Sequence, residues 1–219
     1  MKHDRLAAYL AAPKYICTAL HSSVRKGPSA SEEQISDLAM GCLVRVVMKE
    51  GKKPKASVKK GWAEVMLPDG RTGWTPAADL AEFAGWAAGR KAAPENIIET
   101  ARLMRGVPYL WGGASGKGVD CSGFTRMAWL MNGILLPRNA SQQIKCGDRV
   151  ELDHLQRGDL VFFGTPATDE KPTRVTHVGI YLGDGRIIHS SHRVRINSLT
   201  PGEADYYENA HRLIAAIRL

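Results

Sequence analysis

Cys121 follows a loop that carries four glycines in seven residues, Gly112, Gly113, Gly116 and Gly118. Beyond it, Phe124, Met127, Ala128 and Met131 fall at i, i+3, i+4 and i+7, the spacing of one buried helical face. Counting back three residues puts Cys121 on that face and in the first turn, with Asp120 or Ser122 as the cap. A thiol there meets unpaired N–H groups and the positive end of the helix dipole, which favour thiolate. Such a sulfur suits acyl transfer, a reaction that also needs a base and a third group to orient it. Cysteines are more often small buried hydrophobes, and Cys17, Cys42 and Cys146 are read that way. Two histidines set Cys121 apart. Within residues 176–191, two β-type runs flank Gly183-Asp184-Gly185, the pattern of a hairpin. With a three-residue loop 183–185, Leu182 faces Arg186 and Gly179 faces His189. His177 and His189 then share one sheet face as diagonal neighbours, roughly 7–8 Å apart. Gly179 leaves room between them. A two-residue loop would break this parity.

Other elements must hold these groups in place. Gly133 is a C-terminal cap for the helix that starts near Cys121. Val178, Ile180 and Leu182 alternate with the histidine face and can pack under a helix. A preceding helix is expected over residues 95–104, with Ile97, Ile98, Ala101 and Met104 on one face and Gly106 and Pro108 ending it. The apolar run 160–163 reads as a buried strand, residues 165–175 as a polar loop and the C-terminal RLIAAIRL as a closing strand. Residues 14–83 show short strand-like runs broken by Ser, Pro and Gly. There KKGWAEVMLPDGRTGW places a Gly-Trp pair on each side of a Pro-Asp-Gly turn, which argues a small all-β barrel. Trp62 and Trp74 are read as core or barrel-rim residues. Expected domains are therefore a barrel unit over 1–85 with a short N-terminal segment 1–13, a connector over 86–94 and an α+β unit over 95–219.

YLWGGASGKGVDCSGFTRMAWLMNGILLPRNASQQ, then GDLVFFG, then THVGIYLGDGRIIHSS together resemble the NlpC-type cell-wall cysteine peptidases. The resemblance covers roughly the last half of the chain. It implies a papain-like α+β core with Cys121 as nucleophile, His177 as general base and His189 as the orienting third residue. Tyr109, in the YLWGG motif, is similar to a tyrosine whose hydroxyl helps hold the oxyanion, with the N–H of Cys121 as partner. The barrel pattern resembles the bacterial SH3-like domains that precede this peptidase. The flank HSSHRVRINSL resembles the branch that trims free murein peptides. That likeness implies cleavage of the γ-D-glutamyl to L-diamino acid bond behind a free N-terminal L-alanine, releasing L-Ala-D-Glu. It implies Asp120, Ser122, Trp111 and Ser141 as substrate-binding residues. Relatives add a barrel tyrosine at the amine end, whereas DGRTGW here offers Arg71 and Thr72.

With 219 residues, 44% of them hydrophobic, the chain can bury a core in one large or two small domains. Its net charge is +8, but no basic patch interleaved with aromatics suggests nucleic acid. Lys49, Lys52, Lys53, Lys55, Lys59 and Lys60 read as a solvated loop or as an attraction for acidic peptide or anionic wall polymer. Cysteine and histidine spacing suggests no disulfide frame and no metal site, and no cofactor is expected. Residues 4–12 read as a short amphipathic segment rather than a secretory signal, and no run is long enough to span a membrane. A cytoplasmic location is expected, with murein peptide as the partner. Two other readings stand beside the peptidase: an amidase or acyltransferase using the same residues, and a wall-peptide binding module with an idle triad.

Overall fold

The computed structural model describes residues 12–49 and 55–219; the readings made on residues 4–11, Lys52 and Lys53 lie outside them. The chain divides into two compact units, Met1–Arg90 and Lys91–Leu219.

The first unit is built of short antiparallel strands: β1 (Tyr15–Cys17), β2 (His21–Arg25), β3 (Gln34–Ala39), β4 (Leu43–Val46), β5 (Met48–Lys49), β6 (Lys55–Ala56), β7 (Val58–Lys59), β8 (Trp62–Met66), β9 (Thr72–Pro76) and β10 (Leu80–Glu82). Eight of them form one sheet in the order β10-β1-β4-β8-β9-β2-β3, with β7 paired to β8, while β5 and β6 make a separate ribbon. Strand alternation gathers Cys17, Val24, Leu38, Val44, Val46, Val65 and Leu67 into a core. Trp62 and Trp74 lie half-buried on the other face of β8 and β9, outside that core. Residues 86–94, expected as a connector, instead hold the end of helix α1 (Phe83–Ala88). The Glu82 carboxylate caps this helix by accepting from the Ala84 and Gly85 N–H groups, and the Arg90 guanidinium lies 5.0 Å from the Trp86 ring centre.

The second unit is α+β. Helix α2 (Pro94–Leu103) begins on a proline and buries Ile97, Ile98 and Ala101. A two-stranded turn, β11 (Ala114–Ser115) and β12 (Gly118–Val119), leads into α3 (Cys121–Leu130), and α4 (Ala140–Gln143) follows. Six antiparallel strands then form the sheet: β13 (Asp148–Val150), β14 (Leu160–Thr165), β15 (Arg174–Gly183), β16 (Arg186–Ser191), β17 (Arg193–Ser198) and β18 (Leu213–Arg218). Their order is β13-β18-β14-β15-β16-β17, so the C-terminal strand lies inside the sheet. Helix α3 packs on β15 and β16 and against α2. Its Phe124 and Ala128 are fully buried, and each large apolar side chain so buried contributes about 1.5–3 kcal/mol. On the other face Val161, Phe163, Ile187 and Ala216 form a second core, closed by Tyr207, Leu199 and Ala210 from the segment after β17. No helix of the described residues is long and apolar enough to cross a membrane.

The β15–β16 turn differs from the expected three-residue loop. Gly183 pairs with Arg186, leaving Asp184 and Gly185 as a two-residue turn with φ of 50° and 66°. Positive φ at both central residues is the mark of a turn whose twist suits the flanking strands. A register shift between Tyr181 and Gly183 absorbs Leu182 as an extra residue, so Gly179 still pairs with His189. The shorter loop flips the parity, and the bulge flips it back.

Candidate active site

Asp120 caps α3: its carboxylate accepts from the Gly123 N–H at 2.7 Å, and Cys121 is the first helical residue. The first turn rests so closely on the glycine loop that a Cβ at position 123 would lie 2.0 Å from the Gly113 carbonyl oxygen. The two glycines therefore let the loop and the helix start meet. The Asp120 carboxylate also accepts from the Gly112 N–H at 3.0 Å, from the Ser122 hydroxyl at 3.2 Å and from Arg138 Nη1 at 3.0 Å. Buried Gln143 ties α4 to this corner, donating to the carbonyls of Ser122 and Pro137 and accepting from the Thr125 hydroxyl.

The thiol does not have the environment the helix dipole alone predicts. Burial, then the neighbouring Asp120 charge, push the Cys121 pKa up, against the backbone N–H groups of Val178 and Ser122. Burial in a low-dielectric site disfavours the charged form of a thiol, and here that cost exceeds the help from the helix start.

The strand pair delivers the histidines. His177 Nε2 and His189 Nδ1 lie 2.7 Å apart, and His189 Nε2 lies 2.9 Å from Asn197 Oδ1. Asn197 Nδ2 donates to the Asp205 carbonyl oxygen at 2.6 Å. A carbonyl can only accept, so Asn197 turns its amide nitrogen to Asp205 and its oxygen to His189. His189 then carries its proton on Nε2 and offers the lone pair of Nδ1. His177 donates Nε2–H to that lone pair, which leaves Nδ1 of His177 as the unprotonated, basic nitrogen. Both rings pack against Tyr207, with centres 5.6 and 4.6 Å away. Burial, then the neighbouring His189 and Arg195, lower His177 from 6.5 to about 3. Burial also lowers His189 to about 4, with Arg195 adding to it and the Asn197 bond opposing it. These shifts all run toward the neutral thiol and the neutral imidazoles.

A pocket of about 350 Å³ opens beside the thiol. Tyr109, Trp111, Asp120, Cys121, Ser122 and Ser141 all line it, so the expected binding residues meet in one place. Thr176 lines it too, one residue before His177. Trp111 is 86% exposed, a large apolar ring in solvent at the mouth. Burial, then Cys121 and Asp120, raise the pKa of Tyr109, so its hydroxyl stays a donor. The sequence reading missed Arg138, whose guanidinium pairs with Asp120 and lines the same pocket. It also missed Asn197, Tyr207 and Arg195. Asn197 lies in HSSHRVRINSL and becomes visible once β16 and β17 are paired, since His189 then faces Arg195 and Asn197 falls on its diagonal. Among the described residues no three His, Cys, Asp or Glu side chains gather as metal ligands would. The pocket thus sets a buried thiol beside an Asp120–Arg138 ion pair, with an oriented imidazole one residue from Thr176.

Residues 106–212 match a family model described as NlpC/P60. A Bacillus cereus protein described as gamma-D-glutamyl-L-lysine dipeptidyl-peptidase is 37% identical over 154 residues, covering 68% of this chain and 45% of its own length. A Bacillus subtilis protein of the same description is 46% identical over 101 residues, covering 46% of this chain and 33% of its own length. The chain thus spans less than half the length of each. A crystal structure of an NlpC/P60 family protein from Bacillus cereus aligns with a TM-score of 0.77 at 28% identity, over 99% of this chain and 66% of that one.

Proposed function

We propose, for a chain whose C-terminal unit belongs to the NlpC/P60 family, a cysteine endopeptidase that cuts the γ-D-glutamyl to L-diamino acid bond of murein peptides. The relatives described as gamma-D-glutamyl-L-lysine dipeptidyl-peptidases support this substrate and make L-lysine the first diamino acid to test. In this reading the second unit is papain-like and the first is an SH3-like barrel.

One observation carries the catalytic reading: the chain of bonds from the Asp205 carbonyl through Asn197 and His189 to His177. It leaves one basic nitrogen, on the β15 residue directly before Val178, whose N–H approaches the Cys121 sulfur. His177 Nδ1 takes the thiol proton as the sulfur attacks the γ-glutamyl carbonyl, because neither group is charged beforehand. The Cys121 N–H and the Tyr109 hydroxyl receive the oxyanion. His177 returns the proton to the departing amine, the thioester holds L-Ala-D-Glu, and water releases it.

The pocket's charges support this choice of peptide. A γ-linked D-glutamate keeps its α-carboxylate free, and in this reading Arg138, which also holds Asp120, receives it. The Asp120 carboxylate on the same wall favours a free N-terminal amine, and Ser122, Ser141 and Trp111 line the remainder. The test is mass spectrometry on L-Ala-γ-D-Glu-L-Lys, its N-acetylated form and its α-amidated form. The free peptide should yield L-Ala-D-Glu, with both modified forms cut far more slowly. Equal cleavage of all three would refute the charge-matched pocket.

A further inference from the structure

The second unit carries a groove apart from the catalytic pocket. It measures about 1020 Å³ and runs between the end of α2 and strand β17, with Arg102, Arg105, Arg193 and Arg195 along it. The fold brings these four together. The Gly106 N–H donates to the Val194 carbonyl and the Val194 N–H to the Val107 carbonyl, each bond 2.8–2.9 Å long, which pins the end of α2 to β17. Arg102 lies in the last turn of α2 and Arg105 in the turn just past its end, and Arg193 and Arg195 alternate with buried Val194, so these two share one strand face.

These charges are uncompensated. Among the described residues, Arg102, Arg105, Arg193 and Arg195 make no salt bridge, and the Nε of Arg195 is buried without a hydrogen-bond partner. Two carboxylates line the same groove. Asp205 is engaged by Arg186, and Glu208 is exposed. A second basin of about 390 Å³ shares Arg102, Arg105, Ile196 and Asp205 with the groove and adds Arg157, Arg186 and one carboxylate, Asp184. A trough of this length, lined by arginines in succession, suits a chain of anions better than a single ion. Guanidinium groups match phosphate oxygens in pairs. Tyr206 is the sole aromatic ring in its lining apart from the His192 imidazole, so it lacks the row of stacking platforms that a single-stranded nucleic acid uses.

We propose that this groove is a second binding site, separate from the thiol pocket, that takes a linear phosphate-bearing polyanion without bases. It would hold the protein on such a polymer while the other pocket works. This inference does not depend on the peptidase reading.

Isothermal titration calorimetry of the full chain at low ionic strength tests it. Three probes separate the sources: tripolyphosphate, poly(glycerol phosphate) and a single-stranded oligonucleotide of matched charge. Both phosphate probes should bind saturably and more weakly as salt rises, the tighter one indicating the source. Arg102→Ala/Arg105→Ala should weaken binding about tenfold or more, since two charge-assisted contacts are lost. Lys145→Ala/Lys171→Ala removes the same charge from exposed positions elsewhere and should leave binding unchanged. The arginines at 102 and 105 are chosen because Arg195 lies beside the histidines, so peptide hydrolysis and the circular dichroism spectrum should not change. Equal losses in the two variants, no saturable binding, or tighter binding of the oligonucleotide would overturn the proposal.

Discussion

The proposed pairing of His177 with Cys121, each shifted by burial toward its neutral form, determines what their substitution should show. Cys121→Ser should abolish hydrolysis with the fold kept, since a serine hydroxyl is far harder to deprotonate for a base of this strength. His177→Ala should cost on the order of 10³-fold, in line with the 10²–10⁴ typical of a positioned proton acceptor. Alkylation of Cys121 by iodoacetamide should climb steadily from mildly acidic to alkaline pH, because burial raises its pKa and burial lowers that of His177. A rate already flat across neutral pH would show a thiolate–imidazolium pair at rest and contradict this account. Asn197→Ala removes the acceptor for a buried imidazole N–H, worth about 1–3 kcal/mol, or about five- to 150-fold if it falls wholly on the rate. Asn197→Asp keeps an acceptor but adds a negative charge that favours imidazolium. The acid limb of its pH–rate profile should move to higher pH, which a purely structural role for Asn197 would not produce.

Helix α3, its glycine loop and the β15–β16 hairpin were largely legible in the sequence, because each depends on local spacing. The i, i+3, i+4 pattern from Phe124 placed Cys121 at a helix start, and Gly183-Asp184-Gly185 marked the turn. The bulge at Leu182 was not legible, since one absorbed residue leaves the pattern of apolar residues on both sides intact. Arg138 and Tyr207 were missed for a different reason. Arg138 meets Asp120 across 18 residues, and Tyr207 reaches the histidines only because the segment after β17 folds back over the sheet. Nothing local announces such contacts. Dipole and capping at Cys121 are local and favour thiolate, whereas burial, which depends on the whole fold, acts against it. The loop–helix contact yields a prediction at this scale. Gly123→Ala should destabilise the protein by about 1–3 kcal/mol, as overpacking does, because the added Cβ meets backbone rather than a movable side chain. A thermal melt with an unchanged midpoint would show that the loop yields more freely than its bonds indicate.

The molecule as a whole should be sensitive to acid. Both histidines have folded pKa values near 3 and 4, below the ordinary 6.5. The unfolded chain therefore binds protons that the folded one refuses as pH falls through 6.5, so stability is full above that value and declines toward about 4 and then 3. Urea midpoints measured through this range should fall with acidification, and His177→Gln/His189→Gln should flatten the decline. If that double variant follows the wild-type curve, the imidazoles are not buried neutral. The central claim is that Cys121, with His177 as its base, cuts behind a γ-linked D-glutamate. It is tested most directly by following L-Ala-γ-D-Glu-L-Lys by mass spectrometry with wild-type protein, Cys121→Ser and His177→Ala side by side. The account predicts L-Ala-D-Glu and free lysine from the wild type, none from Cys121→Ser and a trace from His177→Ala. Undiminished release by Cys121→Ser, or no release by the wild type, would contradict it.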